Sequence, residues 1–580
     1  MNVFREFLDR VLAALEAMRE AGELPEGIGF EAVTLEPPRD PAHGHMATNA
    51  ALVLAKKARR KPLDLAAALA ARLRDLPEVV EVGVAAPGFV NLRLADDVWR
   101  RQVRVALEHG ADYGRCDVGQ GLRVNVEYCS ANPTGPLHVG HGRGTVFGDA
   151  LANVLEFAGY RVTREYYIND GGAQIEALAR SIYHRYLEVL GLTDAPLPGG
   201  LYPLGELVPV AETIAARDGR KWVGKPESDW LDLFGRAGVE AMMARIREDL
   251  ERLGVHHDVF TSERALIEAG RIEETIRHLE GLGLVYVGTL PPPKGKPVED
   301  WEPVPQLLFR STAFGDDSDR PLKRSNGAWT YFAADVAYHL DKIRRGAQLL
   351  IDVWGADHGG YVRRMQAAVK ALGEGRVELV VRLCQLVKLY SAGQPLRMSK
   401  RAGRTVWLRD VLEEVGRDVF RFMMLTRRND APLDFDLVEA VRQSKDNPVF
   451  YVQYAHARIC SVFRNAREAG IDPEDVADAP LERLVDPAEL ELVRVMAQWP
   501  RVLEGAAQQS EPHRIAFYLH DLAGAFHSLW TRGKEETGLR FLASDDEATT
   551  RARLAMLGAV RTVLANGLRL MGVEPVEELH

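Results

Sequence analysis

Four short apolar segments, Leu122–Tyr128, Arg161–Ile168, Leu349–Trp354 and Val377–Leu383, alternate with stretches of helical periodicity, and this alternation leaves the chain few architectures. Strands separated by helices pair in parallel, with helices on both faces. The middle of the chain is therefore expected to be a doubly wound, Rossmann-like α/β sheet. Ligands of such sheets bind beyond the C-terminal ends of the strands, so chemistry is expected in the residues just after each segment.

The first segment runs into Ala131, Asn132, Pro133, Thr134, Gly135, Pro136, Leu137, His138, Val139, Gly140 and His141, ahead of a helix-like run from Val146 to Phe157. Pro133 and Pro136 interrupt the chain and put both histidines at or near a helix N-terminus, where backbone N–H groups and the helix dipole favour phosphate. Imidazoles there add donors, and Gly140 lets a base or ribose approach the backbone. Downstream, 400 − 141 = 259 positions after the second histidine, lies Arg397-Met398-Ser399-Lys400-Arg401-Ala402-Gly403-Arg404. This cation-dense loop can close over a phosphate in transfer. Taken singly, the motifs fit a helix-capping histidine pair and a solvated basic loop; in this order and together they specify a nucleotide site.

The chain's length of 580 residues predicts several domains. Residues 1–112 read as an α+β unit: a helix from Val3 to Ala21, strand-like pieces at Phe30–Leu35, Val79–Val84 and Gly88–Leu92, and helical runs at Ala47–Arg60 and Leu63–Leu76. Residues 113–425 hold the sheet and both motifs. The Pro- and Gly-rich interval at about 195–305 reads as an insertion, and the basic loop occupies 397–403. Residues 426–580 read as a helix bundle, with amphipathic runs at Val449–Ala469, Glu489–Gln508, Ile515–Arg532 and Ala548–Met571. A net charge of −10 means that any nucleic acid must be held by local basic patches. One such patch is Lys56, Lys57, Arg59 and Arg60, at a helix end, where it either complements the dipole or meets an RNA backbone. Cys116, Cys129, Cys384 and Cys460 are scattered without CxxC spacing, as expected of reduced thiols rather than a disulfide framework or zinc site. With no run of about 18 apolar residues and no secretory h-region, a cytoplasmic protein with no membrane span is expected.

The paired histidine and Met-Ser-Lys motifs resemble the signature of class I aminoacyl-tRNA synthetases. The blocks around them are similar to arginyl-tRNA synthetases of bacterial type. Val126-Glu127-Tyr128-Cys129-Ser130-Ala131-Asn132-Pro133 and Tyr331-Phe332-Ala333-Ala334-Asp335-Val336-Ala337-Tyr338 resemble that family's substrate blocks. Ile168–Gln174, Trp354–His358, Gly44–Asn49, Gly88–Asn91 and Asp446–His456 extend the likeness over nearly the whole chain. The resemblance implies a ligase that activates L-arginine with ATP, with Mg²⁺ accompanying the ATP, and transfers it to tRNA(Arg). It places Glu127, Ser130, Asn132, Tyr331 and Asp335 on arginine. His138, Gly140, His141, Asp357, His358, Met398, Ser399 and Lys400 fall on ATP, with His138, His141, Ser399 and Lys400 catalytic. The helical domain is expected to read the anticodon loop through Tyr451 and Tyr454, with Met571 near the same surface and Phe463 and Trp530 as further aromatic choices. A monomer with no protein-held metal is the family expectation.

Independent chemistry agrees: a guanidinium cannot be deprotonated and presents a planar fork of donors, so a selective pocket needs fixed carboxylates. Glu127 and Asp335 supply them, and Tyr331 and Asp335, four apart, share a helix face. Such a pocket discriminates without an editing domain. Arg397, Gly359 and His45 depart from the family's usual residues. Another nucleotidylyltransferase and an inactive tRNA-binding paralogue are the alternatives; the first would lack the Glu127/Asp335 pair, the second His138, His141 and Lys400.

Overall fold

The computed structural model describes residues 2–290, 304–324, 326–396, 406–444, 446–543 and 546–579, in two compact units. The first comprises residues 117–443 with 571–573. Its centre is a five-stranded sheet of β1 (Arg123–Glu127), β2 (Arg161–Ile168), β3 (Val259–Ser262), β4 (Leu349–Gly355) and β5 (Glu378–Cys384). The strands lie in the order β5-β4-β1-β2-β3 and every pair is parallel. Read from the other edge this is 3-2-1-4-5, the doubly wound order whose ligand crevice opens where the winding reverses, beside β1. The connecting helices are α1 (Val139–Phe157), α2 (Ala173–Val189), α3 (Glu227–Arg252), α4 (Tyr331–Arg344) and α5 (Val362–Leu372). The helix α1 packs so tightly that a Cβ on Gly148 would lie 2.3 Å from Tyr128, so only glycine allows the contact.

The interval 195–305 is not wholly an insertion. Within it, α3 packs along α2, and β3 completes the sheet by pairing with β2 from Glu165↔Val259 to Ile168↔Ser262. Four residues are too few to leave a periodic signal, which is why the strand escapes a reading by pattern.

The second unit comprises residues 1–116 with 444–570 and 574–580. Its first helix, Val3–Glu20, is capped by Asn2 and buries Val3, Phe4, Phe7, Val11, Leu15 and Met18 at helical spacing. A small antiparallel sheet follows, with Met46–Thr48 and Phe89–Leu94 at its centre. The expected strand Phe30–Leu35 is reduced to Leu35–Glu36, ended by Pro37-Pro38, and the expected helix Ala47–Arg60 starts at Ala50 because Met46–Thr48 pairs in the sheet. The helices of the bundle are Pro448–Glu468, Pro487–Met496, Trp499–Gln509, His513–Glu535 and Glu547–Leu570. The single run expected over Glu489–Gln508 is two helices, since Pro500 has no N–H to continue the ladder and sits in the first turn of the second. Trp499 Nε1 donates to Tyr113 O (2.8 Å) and Arg100 Nη2 to Leu484 O (2.9 Å), joining the bundle to the N-terminal part.

Candidate active site

Beyond Glu127, the last residue of β1, the chain bends through two successive left-handed residues, Cys129 (φ 72°) and Ser130 (φ 34°). Neither is glycine, so the bend holds strain on the order of 1–3 kcal/mol per residue, which the surrounding structure must hold in place. Its effect is to throw Ser130 back over the strand end, where Oγ donates to Glu127 Oε1 (2.9 Å) and accepts from the Tyr167 N–H (3.0 Å). The chain then passes Asn132 and the two prolines to reach His138, the N-cap of α1. The rings of His138 and His141 stack at 3.6 Å, and the His138 N–H donates to His141 Nδ1 (3.3 Å). Both imidazoles face a cleft of about 310 Å³ lined also by Asn132, Thr134, Leu204 and Trp407.

The motif segment is clamped on its other side. Asp249, held by Arg409 (2.8 Å), accepts from the Leu137 N–H, and Val406–Leu408 runs antiparallel to Leu137–Val139. Residues 397–405 precede this clamp directly. Met398, Ser399 and Lys400 lie outside the described residues.

A second cavity of about 440 Å³ adjoins the cleft, Asn132 lining both. Glu127, Ser130, Glu263, Tyr331, Asp335 and Tyr361 are among its walls. Tyr331 and Asp335 come from the first turns of α4, whose N-cap is Thr330. Asp335 Oδ2 accepts from Tyr361 OH (2.6 Å). Burial pushes the Asp335 carboxyl up to about 6, against that hydrogen bond, with the charges of Glu127 and Asp352 adding to the rise. Glu263 is pushed up to about 7, first by burial and then by the charges of Asp335 and Asp170. Two acids that resist ionisation in one cavity form a site that favours a cation.

On the sheet side of the cavity stands a row of carboxylates, of which Glu127 and Asp352 line it. Register sets Glu127 opposite Asp352 on β4 and opposite Glu165 on β2. The cations come from α4 and its C-cap: Lys342 Nζ donates to Glu127 Oε2 (2.5 Å) and Asp352 Oδ1 (3.0 Å), and Arg345 binds Glu165 with two bonds of 2.7 and 2.8 Å. Against its burial, Lys342 is held above its ordinary value by Asp352 and Glu127. Burial pushes Glu127 up while Lys342 pulls it back.

Set against this geometry, comparisons with known proteins decide the family. Relatives named arginine–tRNA ligase from Ruegeria pomeroyi and Paracoccus denitrificans are each 57% identical to this chain over 582 residues, covering all of both chains. The chain belongs to the arginyl-tRNA synthetase family. Models of the family's parts match in order: the arginyl-tRNA synthetase N-terminal domain over residues 6–94, the class I (R) tRNA synthetase catalytic domain over 102–193, and the DALR anticodon-binding domain over 452–579. The fold matches the arginyl-tRNA synthetase structure from Thermus thermophilus with a TM-score of 0.77 at 22% identity, over all of both chains.

In this synthetase, some residues singled out by sequence stand elsewhere than expected. Glu127 reaches the cavity wall with both oxygens already engaged, by Ser130 and Lys342, rather than as an open fork. Asp357 and His358 follow β4 with side chains 84% and 62% exposed, and of the two only His358 borders the cavity. A Cβ on Gly140 would lie 3.0 Å from the His138 ring, so this glycine serves the packing of that imidazole. Lys56, Lys57 and Arg59 are exposed and Arg60 is half-buried. Tyr454 is exposed under the Arg458 guanidinium (3.9 Å), and Tyr451 packs on His520 and His527. Phe463 and Met571 are buried, Met571 giving its carbonyl to Arg421 (2.8 Å), so neither presents a surface for RNA. Sequence reasoning missed Glu263, Lys342, Asp352 and Arg345. The signal for Lys342 and Arg345 was present in the spacing 335, 338, 342, 345 along one face of α4 and its C-cap.

Proposed function

We propose that this protein is an arginine–tRNA ligase that joins L-arginine to ATP and then to tRNA(Arg), and that the two adjoining cavities are its arginine and ATP sites. The observation that carries the reading is the pair Asp335 and Glu263. The two carboxyls, poised near 6 and 7, share a cavity with Tyr331 and Ser130, and that cavity adjoins the cleft of the stacked histidines through Asn132. A planar guanidinium, permanently charged and rich in donors, satisfies both acids at once, which an ammonium or a neutral side chain cannot do as well.

With the guanidinium in the acidic cavity, the amino acid's carboxylate lies toward Asn132, the residue common to both cavities. Its oxygen attacks the α-phosphorus of ATP, forming the acyl–phosphate bond of arginyl-adenylate and releasing pyrophosphate. His138 and His141, at the N-terminus of α1, supply donors to the charge that develops on the phosphates, with Ser399 and Lys400 assigned to the pyrophosphate and Met398 and Gly140 to the nucleotide. A terminal ribose hydroxyl of tRNA then attacks the carbonyl carbon and AMP leaves. Mg²⁺ travels with ATP. Among the described residues no group of three His, Cys, Asp or Glu side chains is placed to hold it, so no step is routed through the ion. No helix among the described residues is long and apolar enough to cross a membrane, in keeping with a cytoplasmic enzyme.

For tRNA, the exposed Lys56, Lys57 and Arg59, with the half-buried Arg60, supply backbone contacts, and Tyr451 and Tyr454, with Arg458 stacked on the latter, supply faces for unpaired bases. ATP–pyrophosphate exchange across the amino acids, with and without tRNA, tests the reading. Arginine alone should support exchange. Exchange with another amino acid, or none with tRNA present, would sink it.

A further inference from the structure

A fully buried lysine stands behind the acidic cavity, does not line it, and touches three residues that do, Glu127, Asp352 and Tyr338. Lys342 is 0% exposed, and its three donors are all used: on Glu127 (2.5 Å), on Asp352 (3.0 Å) and on the face of Tyr338, whose centroid lies 4.4 Å away. Its two carboxylates are cross-strand neighbours in register on β1 and β4, so without a cation between them they would repel through the protein interior. Asp352 continues the chain of bonds. Its Oδ2 meets His339 Nε2 (2.9 Å), and His339 Nδ1 meets the backbone oxygen of Asp335 (2.7 Å). A single path therefore runs from Ser130 through Glu127, Lys342, Asp352 and His339 to Asp335. It links the strained strand end to the helix turn that carries the other half of the pocket.

We propose that Lys342 is a positioning residue for arginine selection: one buried ammonium fixes Glu127 in its turned-back position and ties it to the Asp335 turn. The pocket is thereby built before substrate arrives. Lys342 also keeps the wall from becoming so anionic that protons or small cations would occupy it in place of a guanidinium. This rests on reading the cavity as the arginine site.

The test uses the full-length enzyme and its tRNA and measures aminoacylation KM for arginine, kcat, and KM for ATP between pH 6 and 8.5. Lys342→Met should raise the arginine KM at least tenfold and move the pH below which arginine binding weakens upward by about one unit, as Glu127 and Asp352 take up protons. KM for ATP should stay within twofold. The double variant Lys342→Met/Asp352→Asn, which removes the repulsion along with the lysine, should fold where the single variant does not. It should regain the wild-type pH profile while keeping a raised arginine KM. A Lys342→Met enzyme that loses thermal stability yet keeps an unchanged arginine KM and pH profile would overturn the proposal, as would a double variant with wild-type KM. Asp335→Asn serves as the control. If it too leaves arginine KM unchanged, the cavity is not the arginine site; if it raises KM while the lysine variants do not, the lysine proposal alone fails.

Discussion

Arginine binding should depend on pH in a way that these two acids set. Asp335 stands near 6 and Glu263 near 7, and a guanidinium would bind the doubly ionised form. At pH 8 about nine-tenths of the enzyme carries both charges, at pH 7 a little under half, and at pH 6 about one part in twenty. KM for arginine should therefore rise about twofold from pH 8 to 7 and about twentyfold from pH 8 to 6. Glu263→Gln removes the upper titration, so its KM should change only about twofold over the same range. Its KM at pH 8 should be about ten- to a hundredfold higher for the loss of a charge-assisted bond worth roughly 1.5–3 kcal/mol. Stability should move the other way. Both folded-state values lie above the ordinary carboxyl range, so ionising these groups opposes folding, and the empty enzyme should gain stability as pH falls from about 7 toward 4. Arginine supplies the missing charge, so it should raise Tm more at pH 8 than at pH 6. The assay is initial-rate aminoacylation at saturating ATP and tRNA, with differential scanning fluorimetry alongside. A flat KM between pH 6 and 8, or a Glu263→Gln variant that keeps the steep limb, would refute the reasoning.

Three further outcomes follow from single features of the fold. Ser130→Gly fits the left-handed φ of 34° but loses the hydroxyl on Glu127, so Tm should hold or rise slightly while KM for arginine rises about fivefold or more. Gly148→Ala sets a methyl 2.3 Å from Tyr128, against the sheet, and should lower stability by about 2–4 kcal/mol in urea unfolding, with expression falling accordingly. His45 Nδ1 accepts from both the Leu94 N–H and Trp99 Nε1, and burial, with Arg494 and Arg93 nearby, holds it down to about 4. Its folded value lies below the ordinary histidine range. Its contribution is therefore complete above pH 6.5 and lost as pH falls toward 4, on the order of 1–2 kcal/mol for a half-buried group. His45→Asn should flatten that part of the stability–pH curve.

The sheet and the nucleotide half of the site were legible because both are local. Each strand is an apolar run and is followed by its helix, and His138 to His141 is a contiguous motif whose meaning does not depend on distant residues. Tyr331 and Asp335 were legible for the same reason, four apart on one helix. Glu263 was not. It follows a four-residue strand inside an interval that looks like an insertion, and nothing local marks it as a wall of the same cavity as Asp335. Lys342 and Arg345 read as an ordinary basic helix end, and Glu165 and Asp352 as interruptions in apolar strands. Only strand register shows that Asp352, Glu127 and Glu165 stand side by side, and that the helix end closes over them. The break at Pro500 was written in the sequence and was overridden by the apolar periodicity on either side of it.

That polar stripe sits where a doubly wound sheet ordinarily buries valine and isoleucine against a helix. Burying ion pairs in place of apolar contacts gains little stability, because desolvation takes back most of what the pairing returns. The arrangement makes sense as a way of setting charge at one end of α4 from the other. Glu127, Asp352, Asp335 and Glu263 bring four carboxyls to one region and Lys342 brings one cation, a difference of three negative charges if all ionise. An interior so charged resists ionising completely, and Asp335 and Glu263, for which no ion pair is found among the described residues, are the two pushed up toward neutral pH. All four line the cavity, Glu127 and Asp352 with their charges paired to Lys342. The stripe thus divides one set of carboxyls into a fixed, compensated group that shapes the wall and an uncompensated pair that waits for the ligand. A lysine side chain in the cavity would bring one compact charge to that pair, whereas arginine spreads its charge and five donors across both acids. With this cavity proposed as the arginine site, selection for arginine would rest on where Lys342 and Arg345 are placed as much as on the residues that touch the substrate.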